Sequence, residues 1–407
     1  MPKRTIFKID VNHKRVLMRV DFNVPLDDNR HITDDIRIRA ALPSIKHVLE
    51  NNGRLVLMSH LGRPDGTGYQ EEFSLEPCAA RLTELLGDSV RGEVRFPSHD
   101  CVDGAAAAAV QMLADGECLL LEHLRFHKAE KKGDPAFAQK LAAHGEVYCN
   151  NAFGTCHREH ASMVAVPEAM TGAPRVCGSL VEKEIKYLSD ALDHPREPFT
   201  VVLGGAKVFD KLPAIEHLIT KADTIVVGGA MAYTFLKAQG ISVGTSRVEL
   251  EMLDHANAIL QKAADAGCTI MLPTDHVCST TFDERSGDNK TFKGDIEDGY
   301  MGLDIGPETR DAYAGALTRS KTIVWNGPMG VFEWDLFSVG TKQVGEAIAK
   351  ATSEGATSIV GGGDSAAAAE KFGLVDHLSH VSTGGGASLE MLSGKAFRSV
   401  DLLDDDN

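Results

Sequence analysis

VVLGGAKV at residues 201–208 sets the reading of this chain: an apolar, β-branched run stops at two glycines and a lysine. The pattern returns as TIVVGGAMA from Thr224, TIVWNGPMG from Thr322, TSIVGGGDSA from Thr357 and HVSTGGGASLE from His380. Earlier runs of the same kind end in charge instead: VLMRVDFNVP, LVLMSHLGRP, CLLLEHLRFH and EVYCNNAFGTCHREH. Apolar strands that alternate with helix-period segments mark parallel sheets covered on both faces. In such sheets ligands bind beyond the carboxyl ends of the strands. The second half of the chain therefore presents bare backbone at its ligand edge, and the first half presents Arg and His. Two different anionic ligands are expected.

A chain of 407 residues is longer than one core usually serves, so two domains are expected. Its 58 acidic and 42 basic residues give a net charge of −16. That balance argues against a nucleic-acid binder, which needs a basic excess, and makes local Arg clusters more telling. Eight cysteines without a C-x-x-C pair are read as free thiols in a reducing compartment. MPKRTIFKID has no long apolar stretch behind its charges, and no run reaches the ~18–20 apolar residues of a membrane span. The expectation is a cytoplasmic protein with no membrane or nucleic-acid partner.

Segments such as IRAALPSIKHVLENNG, DPAFAQKLAAHG and FSVGTKQVGEAIAKATSEG read as helices between the strands. Pro167, Gly172 and Pro174 place a domain break around 171–177, followed by a bridging helix in SLVEKEIKYLSDAL. A second candidate break is HPREPF from His194. The polar stretch between Ser279 and Pro307 reads as a long surface excursion, and the tail LLDDDN as a frayed end.

At the glycine edges, GGGDSAAA from Gly361 lets backbone pass close to a ligand and offers a helix start to phosphate. There Asp364 suits a Mg²⁺ ion on that phosphate and Ser365 suits an N-cap, with Ser388 a second cap in TGGGASLE. Lys207 and Lys211, four apart, are read as one helical face that suits a polyphosphate. Asn326 precedes a rigid Gly-Pro turn, and Glu333 among apolar neighbours can accept ribose hydroxyls. Plainer alternatives stay open for each: a tight turn, a solvated lysine pair, a surface glutamate. No G-x-x-x-x-G-K-[ST], no G-x-G-x-x-G after a strand and no protein-kinase motif occurs, so phosphate binding here uses another architecture.

At the charged edges, Arg19, Asp21 and Asn23 alternate along one strand face. Arg37 and Arg39, His60 and Arg63, Arg125 and His127, and His157, Arg158 and His160 follow at successive run ends. Guanidinium groups make two-pronged contacts with carboxylate and phosphate, so the cluster points to a small polyanion. A zinc reading of Cys149, Cys156, His157 and His160 is disfavoured by the wide cysteine spacing and by Arg158 among the ligands.

VLMRVDFNVP, SHLGRP, LRFH, NAFGTCHREHASM, GGAKVFDK, GGAMAYTFL, MGLDIGP, WNGPMGVFEW, GGGDS and VSTGGGASLE together resemble the phosphoglycerate kinase family. Their order follows that family from near Val16 to about Lys395. The resemblance implies an α/β chain of two doubly wound, Rossmann-like parallel-sheet lobes joined by a helix and hinge. It implies a phosphoglycerate-binding domain at 1–175, an inter-domain helix at 176–193 and a nucleotide-binding domain at 194–387. Residues 388–407 would return to the N-terminal domain. The implied reaction is reversible phosphoryl transfer from 1,3-bisphosphoglycerate to ADP, giving 3-phosphoglycerate and ATP with Mg²⁺, by hinge closure of a monomer.

Carried over by motif, Asp21, Asn23, Arg37, His60, Arg63, Arg125 and Arg158 hold the phosphoglycerate. Lys207, Lys211, Gly228, Gly229, Asn326, Pro328, Glu333, Gly362, Gly363, Asp364 and Ser365 serve the nucleotide, with Asp364 on the metal. Arg37, Lys207 and the amides around Gly385 and Gly386 surround the moving phosphoryl group. Asn151, Ser365 and Ala230 depart from the family's usual Asp, Thr and Gly. Two other readings remain at this point: a kinase for a different acyl phosphate, and a nucleotide-binding regulator without turnover.

Overall fold

In the computed structural model, which describes residues 2–382 and 384–406, Val16, Leu17, Met18 and Val20 of strand β1 (Arg15–Val20) are fully buried. A run without alternation is what a strand covered on both faces requires. With β2 (Arg54–Met58), β3 (Cys118–Leu120), β4 (Val147–Asn151) and β5 (Arg175–Cys177), it forms a five-stranded sheet of order β3-β2-β1-β4-β5. Every pairing in it is parallel. The order reverses between β1 and β4, which makes the carboxyl ends of those strands the place where a ligand fits.

The second parallel sheet has six strands in the order β14-β13-β12-β6-β7-β8. They are β6 (Phe199–Leu203), β7 (Thr224–Val227), β8 (Thr269–Met271), β12 (Thr322–Asn326), β13 (Thr357–Val360) and β14 (His380–Val381). Its order reverses between β12 and β6. The five glycine clusters follow β6, β7, β12, β13 and β14, as the sequence predicts. Among the described residues, no helix is long and apolar enough to cross a membrane.

The chain divides into two compact units, Met1–Lys186 with Ala396–Asn407, and Tyr187–Lys395. The division falls within the helix Ser179–Asp193. The stretch read as a break at 171–177 instead contains β5, the edge strand of the first sheet. The return to the first unit begins at Ala396 rather than at 388, because the helix Gly386–Leu392 belongs to the second unit.

Two further expectations are corrected. The polar segment 279–307 is not a bare excursion: β9 (Asp275–Ser279), β10 (Asn289–Lys293) and β11 (Met301–Ile305) form an antiparallel sheet of order β10-β9-β11. In β10 only Phe292 is buried, under the Lys290 ammonium at 4.6 Å, so a polar composition conceals an edge strand. Nor is the acidic tail frayed over 402–406; its last residue, Asn407, lies outside the described residues. Arg4 N–H donates to the Asp404 carbonyl at 2.8 Å, Lys3 pairs with Asp405 at 2.8 Å, and Arg175 N–H donates to the Asp404 carboxylate at 3.0 Å.

Candidate active site

In the first unit, the loop after β1 is tied to the loop after β2. Asn23 Oδ1 accepts the Gly62 N–H at 2.7 Å, and Arg125 Nη1 donates to the Gly62 carbonyl at 3.2 Å. Gly62 has φ 61°, a conformation that favours glycine. Arg37, in the first turn of the helix Ile36–Glu50, donates from Nη1 to Asp21 Oδ2 at 2.7 Å. His60 Nδ1 lies 3.9 Å from the other Asp21 oxygen. Asp21 thus orients Arg37, while His60 Nδ1 is held by Arg19 Nη2 at 3.1 Å.

The fields of these groups overlap. Burial, then the charges of Arg19 and Arg158, push the Arg125 guanidinium down to about 10. Its Nε is buried without a partner. Burial, with Arg19 and Arg125 nearby, holds His60 well below its ordinary range. Burial with Arg125, Arg19 and Arg158 lowers His160 to about 3. Both imidazoles are therefore neutral hydrogen-bonding groups near pH 7. Arg63 and Arg158 are exposed and their guanidinium groups have no hydrogen bond or ion pair among the described residues. Several cations converge here against two offsetting carboxylates, Asp21 and the buried Glu130, and an anionic ligand would relieve their remaining repulsion.

Two arginines of the same motifs do something else. Arg19 is fully buried; its Nε donates to Ser162 Oγ at 3.1 Å and its guanidinium faces Glu130. It belongs to the core, not to the ligand face shared by Asp21 and Asn23. Arg39 pairs with Asp35 at 2.7 Å on the exposed side of its helix.

In the second unit, the reversal between β12 and β6 places Asn326 beside the Gly204–Gly205 turn. Lys211 Nζ donates to the Asn326 carbonyl at 2.8 Å and also to its Oδ1. The Asn326 amide is thereby turned so that Nδ2, buried and without a partner, faces the glycine turn after β13. A Cβ built on Gly362 would lie 3.2 Å from it. A buried donor left unpaired costs about 1–3 kcal/mol, so this one marks a place for an acceptor. Burial lowers Lys211 to about 8, against the opposing pull of Asp364 and Asp210.

Lys207 and Lys211 do not share a helical face as expected. Lys207 precedes the tight turn Phe209–Lys211 and is exposed, while Lys211 folds inward. The two cap assignments also fail. Ser365 lies inside the helix Gly363–Lys371, and its hydroxyl accepts the Gly327 N–H at 2.6 Å. Ser388 is buried against Ser382. The N-caps are Gly362 (φ 93°) and Gly385 (φ 51°).

The glycines divide into two kinds. A Cβ on Gly228 or Gly229 would lie 2.4 Å from Met329 Sδ or from Gly205 N, so these two let neighbouring turns touch. Around Gly363 and Gly385 nothing lies within 4 Å of such a Cβ, which leaves room for a ligand. Asp364 is exposed at the start of its helix, and its carboxylate has no hydrogen bond or ion pair among the described residues.

Beside this helix start opens a cavity of about 670 Å³. Gly205, Pro328, Glu333 and Asp364 lie on its wall together with Tyr233, Phe282, Met301, Leu303 and Trp334. The sequence reading named Pro328, Glu333 and Asp364 and missed Gly205 and the apolar group. Phe282 is 65% exposed and tilts against Trp334 at 4.8 Å. An aromatic stranded in a polar stretch was the available signal. Cys149, Cys156, His157 and His160 do not come together as metal ligands.

The sequence profile of the family described as Phosphoglycerate kinase matches residues 6–395. The chain is 54% identical over 407 residues to the Phosphoglycerate kinase of Rhodopirellula baltica, with 100% of each covered. Among solved structures, it is similar to phosphoglycerate kinase from Coxiella burnetii: 38% identity, TM-score 0.89, 98% of both chains covered. Phosphoglycerate Kinase from Pyrococcus horikoshii OT3 matches with 31% identity and TM-score 0.81, again over 98% of both chains. With two doubly wound sheets, an Arg-lined site in one unit and a glycine-edged cavity in the other, the chain belongs to the phosphoglycerate kinase family.

Proposed function

We propose that the sites described above carry out the family's reaction, each with its own ligand. The chain is a phosphotransferase that moves a phosphoryl group reversibly between 1,3-bisphosphoglycerate and ADP, giving 3-phosphoglycerate and ATP. The observation that carries the division of labour is the contrast between the two reversal points. One gathers Arg37, Arg63, Arg125 and Arg158. The other aims an unpaired Asn326 amide at open glycine backbone.

In this reading, the first unit's cluster holds phosphoglycerate through Asp21, Asn23, Arg37, His60, Arg63, Arg125 and Arg158. Glu333 and the apolar cavity take the nucleoside. Lys207, Lys211, Asn326, Gly362, Gly363 and Ser365 face its phosphates. The acceptor in the ATP-consuming direction is a carboxylate, ionised at pH 7 because carboxyl groups titrate near ~4. No general base is needed, only in-line placement and neutralisation of charge. Arg37, Lys207 and the amides at Gly385 and Gly386 supply that neutralisation as the hinge near 179–192 closes. A Mg²⁺ ion fits the free Asp364 carboxylate beside open phosphate-binding backbone; bound there, it would offset phosphate charge. The protein is taken to act as a cytoplasmic monomer.

A purified-protein assay of ATP formation from 1,3-bisphosphoglycerate and ADP, with and without magnesium, tests this directly. Absence of turnover from correctly folded protein defeats it. Asp364→Ala is expected to weaken magnesium-dependent nucleotide binding by about 10–100-fold, the scale for losing a group that orients a metal site. Calorimetry should show 3-phosphoglycerate binding intact, and equal loss of both ligands contradicts the division.

Lys211 sets a pH dependence. Its folded pKa, about 8, is below the ordinary lysine value. The unfolded chain therefore holds the proton to higher pH, and this residue's contribution to stability rises from pH 8 towards 10. Nucleotide phosphate favours the ammonium, so binding at pH 9 should take up a proton and be about 10-fold weaker than at pH 7. Calorimetry in buffers of different ionisation heat reads this. Lys211→Met should abolish the proton uptake, and equal affinity at both pH values in the wild type refutes it.

A further inference from the structure

The turn bearing Lys207 and Lys211 is anchored by a residue that none of the motifs contains. Glu249 Oε2 accepts the Val208 N–H and, at 3.4 Å, the Phe209 N–H. Glu249 in turn donates its own N–H to Thr234 Oγ1 at 3.1 Å. Thr234 is buried on the helix Met231–Ala238, whose preceding residues Gly229 and Ala230 line the cavity. The loop before Glu249 is pinned as well. Thr245 N–H donates to the Tyr300 carbonyl at 2.8 Å, and Ser246 Oγ accepts the Gly302 N–H at 2.9 Å. One short loop thus joins the lysine turn, the helix after β7 and the start of β11.

The amides that Glu249 occupies, those of Val208 and Phe209, are the leading donors of the turn Phe209–Lys211, which runs directly into the helix Leu212–Leu218. Left free, such donors are themselves an anion site. With a carboxylate on them, these two amides cannot themselves meet phosphate, and the position of the neighbouring ammonium groups depends on where the carboxylate holds the backbone. Lys207 is the residue directly before the first bonded amide, so it has the least freedom to compensate for a shift.

We propose that Glu249 is a positioning residue for phosphoryl transfer, fixing the turn that presents Lys207 and Lys211 to the nucleotide phosphates. The proposal rests on the nucleotide role of those lysines given above. Displacement by about 1 Å can cost about 10²-fold in rate. Glu249→Ala should therefore lower kcat/KM for ADP by about that factor, while KM for 1,3-bisphosphoglycerate is unchanged. Glu249→Gln keeps an oxygen acceptor at the same reach and should restore most of the loss. Glu249→Asp keeps the charge but withdraws the acceptor, and should stay impaired; it serves also if the alanine variant does not fold.

A purely structural Glu249 predicts a lower melting temperature with the kinetic constants of both substrates unmoved, and that result overturns the proposal. So does a glutamine variant no better than the alanine one. Lys207→Ala, measured alongside, separates the two levels. If it leaves ADP kinetics intact, the assignment of the lysines fails. If it impairs them and Glu249→Ala does not, only the role of Glu249 fails.

Discussion

Arg37→Ala is expected to lower turnover by at least ~10²–10³-fold in a protein that still folds, the usual cost of losing a donor to transition-state charge. The physical case starts from the pair with Asp21 at 2.7 Å, which uses one nitrogen of the guanidinium. The remaining donors are free to meet a transferring phosphoryl group. Because the Arg37 side chain is partly exposed, loss of its ion pair should change the melting temperature little. Arg37→Lys should recover only part of the rate, since an ammonium cannot bond Asp21 and a phosphoryl oxygen in one rigid fork. Steady-state kinetics in the ATP-forming direction, with a melt as control, decide the matter. Near-normal turnover in the alanine variant would remove Arg37 from the chemistry.

The second large effect is on stability. Glu130 is fully buried; its carboxylate accepts Ser162 Oγ at 2.6 Å and Ser162 N–H at 2.9 Å, and Ser162 Oγ accepts Arg19 Nε at 3.1 Å. Glu130→Ala removes the stronger of the two carboxylates that offset the fully buried Arg19, together with the Ser162 bridge that joins Glu130 to it. Breaking a buried ionic pair from one side costs about 3–5 kcal/mol, because the surviving charge stays in the interior. Both tryptophans, Trp325 and Trp334, lie in the second unit, so intrinsic fluorescence would miss the event. Amide hydrogen exchange in β1 and β4 is the proper readout, and protection should fall there while β6 and β12 keep theirs. A loss under about 1 kcal/mol in the first unit would mean that water or a rearranged Ser162 replaces the carboxylate.

The two predictions mark where residues of one motif part company. Arg19 and Asp21 are two positions apart in VLMRVDFNVP, and period-two spacing places both on one strand face. Nothing local says that Arg19 lies under Glu130 and Ser162 while Asp21 emerges beside Arg37. The carboxylate of Glu130 is brought from more than a hundred residues along the chain. The same limit applies to Lys211, whose lowered pKa comes from burial against Asn326, and to Ser365, whose hydroxyl is claimed by Gly327. It applies again to β10, where one Phe292 under Lys290 suffices to make a strand of a polar stretch.

By itself, the sequence determined that apolar runs alternate with helices, that they end in glycine in one half and in Arg or His in the other, and which family these motifs resemble. Those are local properties: side-chain volume, φ freedom and period travel with the residues wherever the chain goes. Only the tertiary structure decided which arginines meet solvent and which the core, which glycines admit a ligand and which admit a neighbouring turn, and which donor is left unpaired. Each of these depends on what a distant segment brings within a few ångströms, and long-range packing sets that.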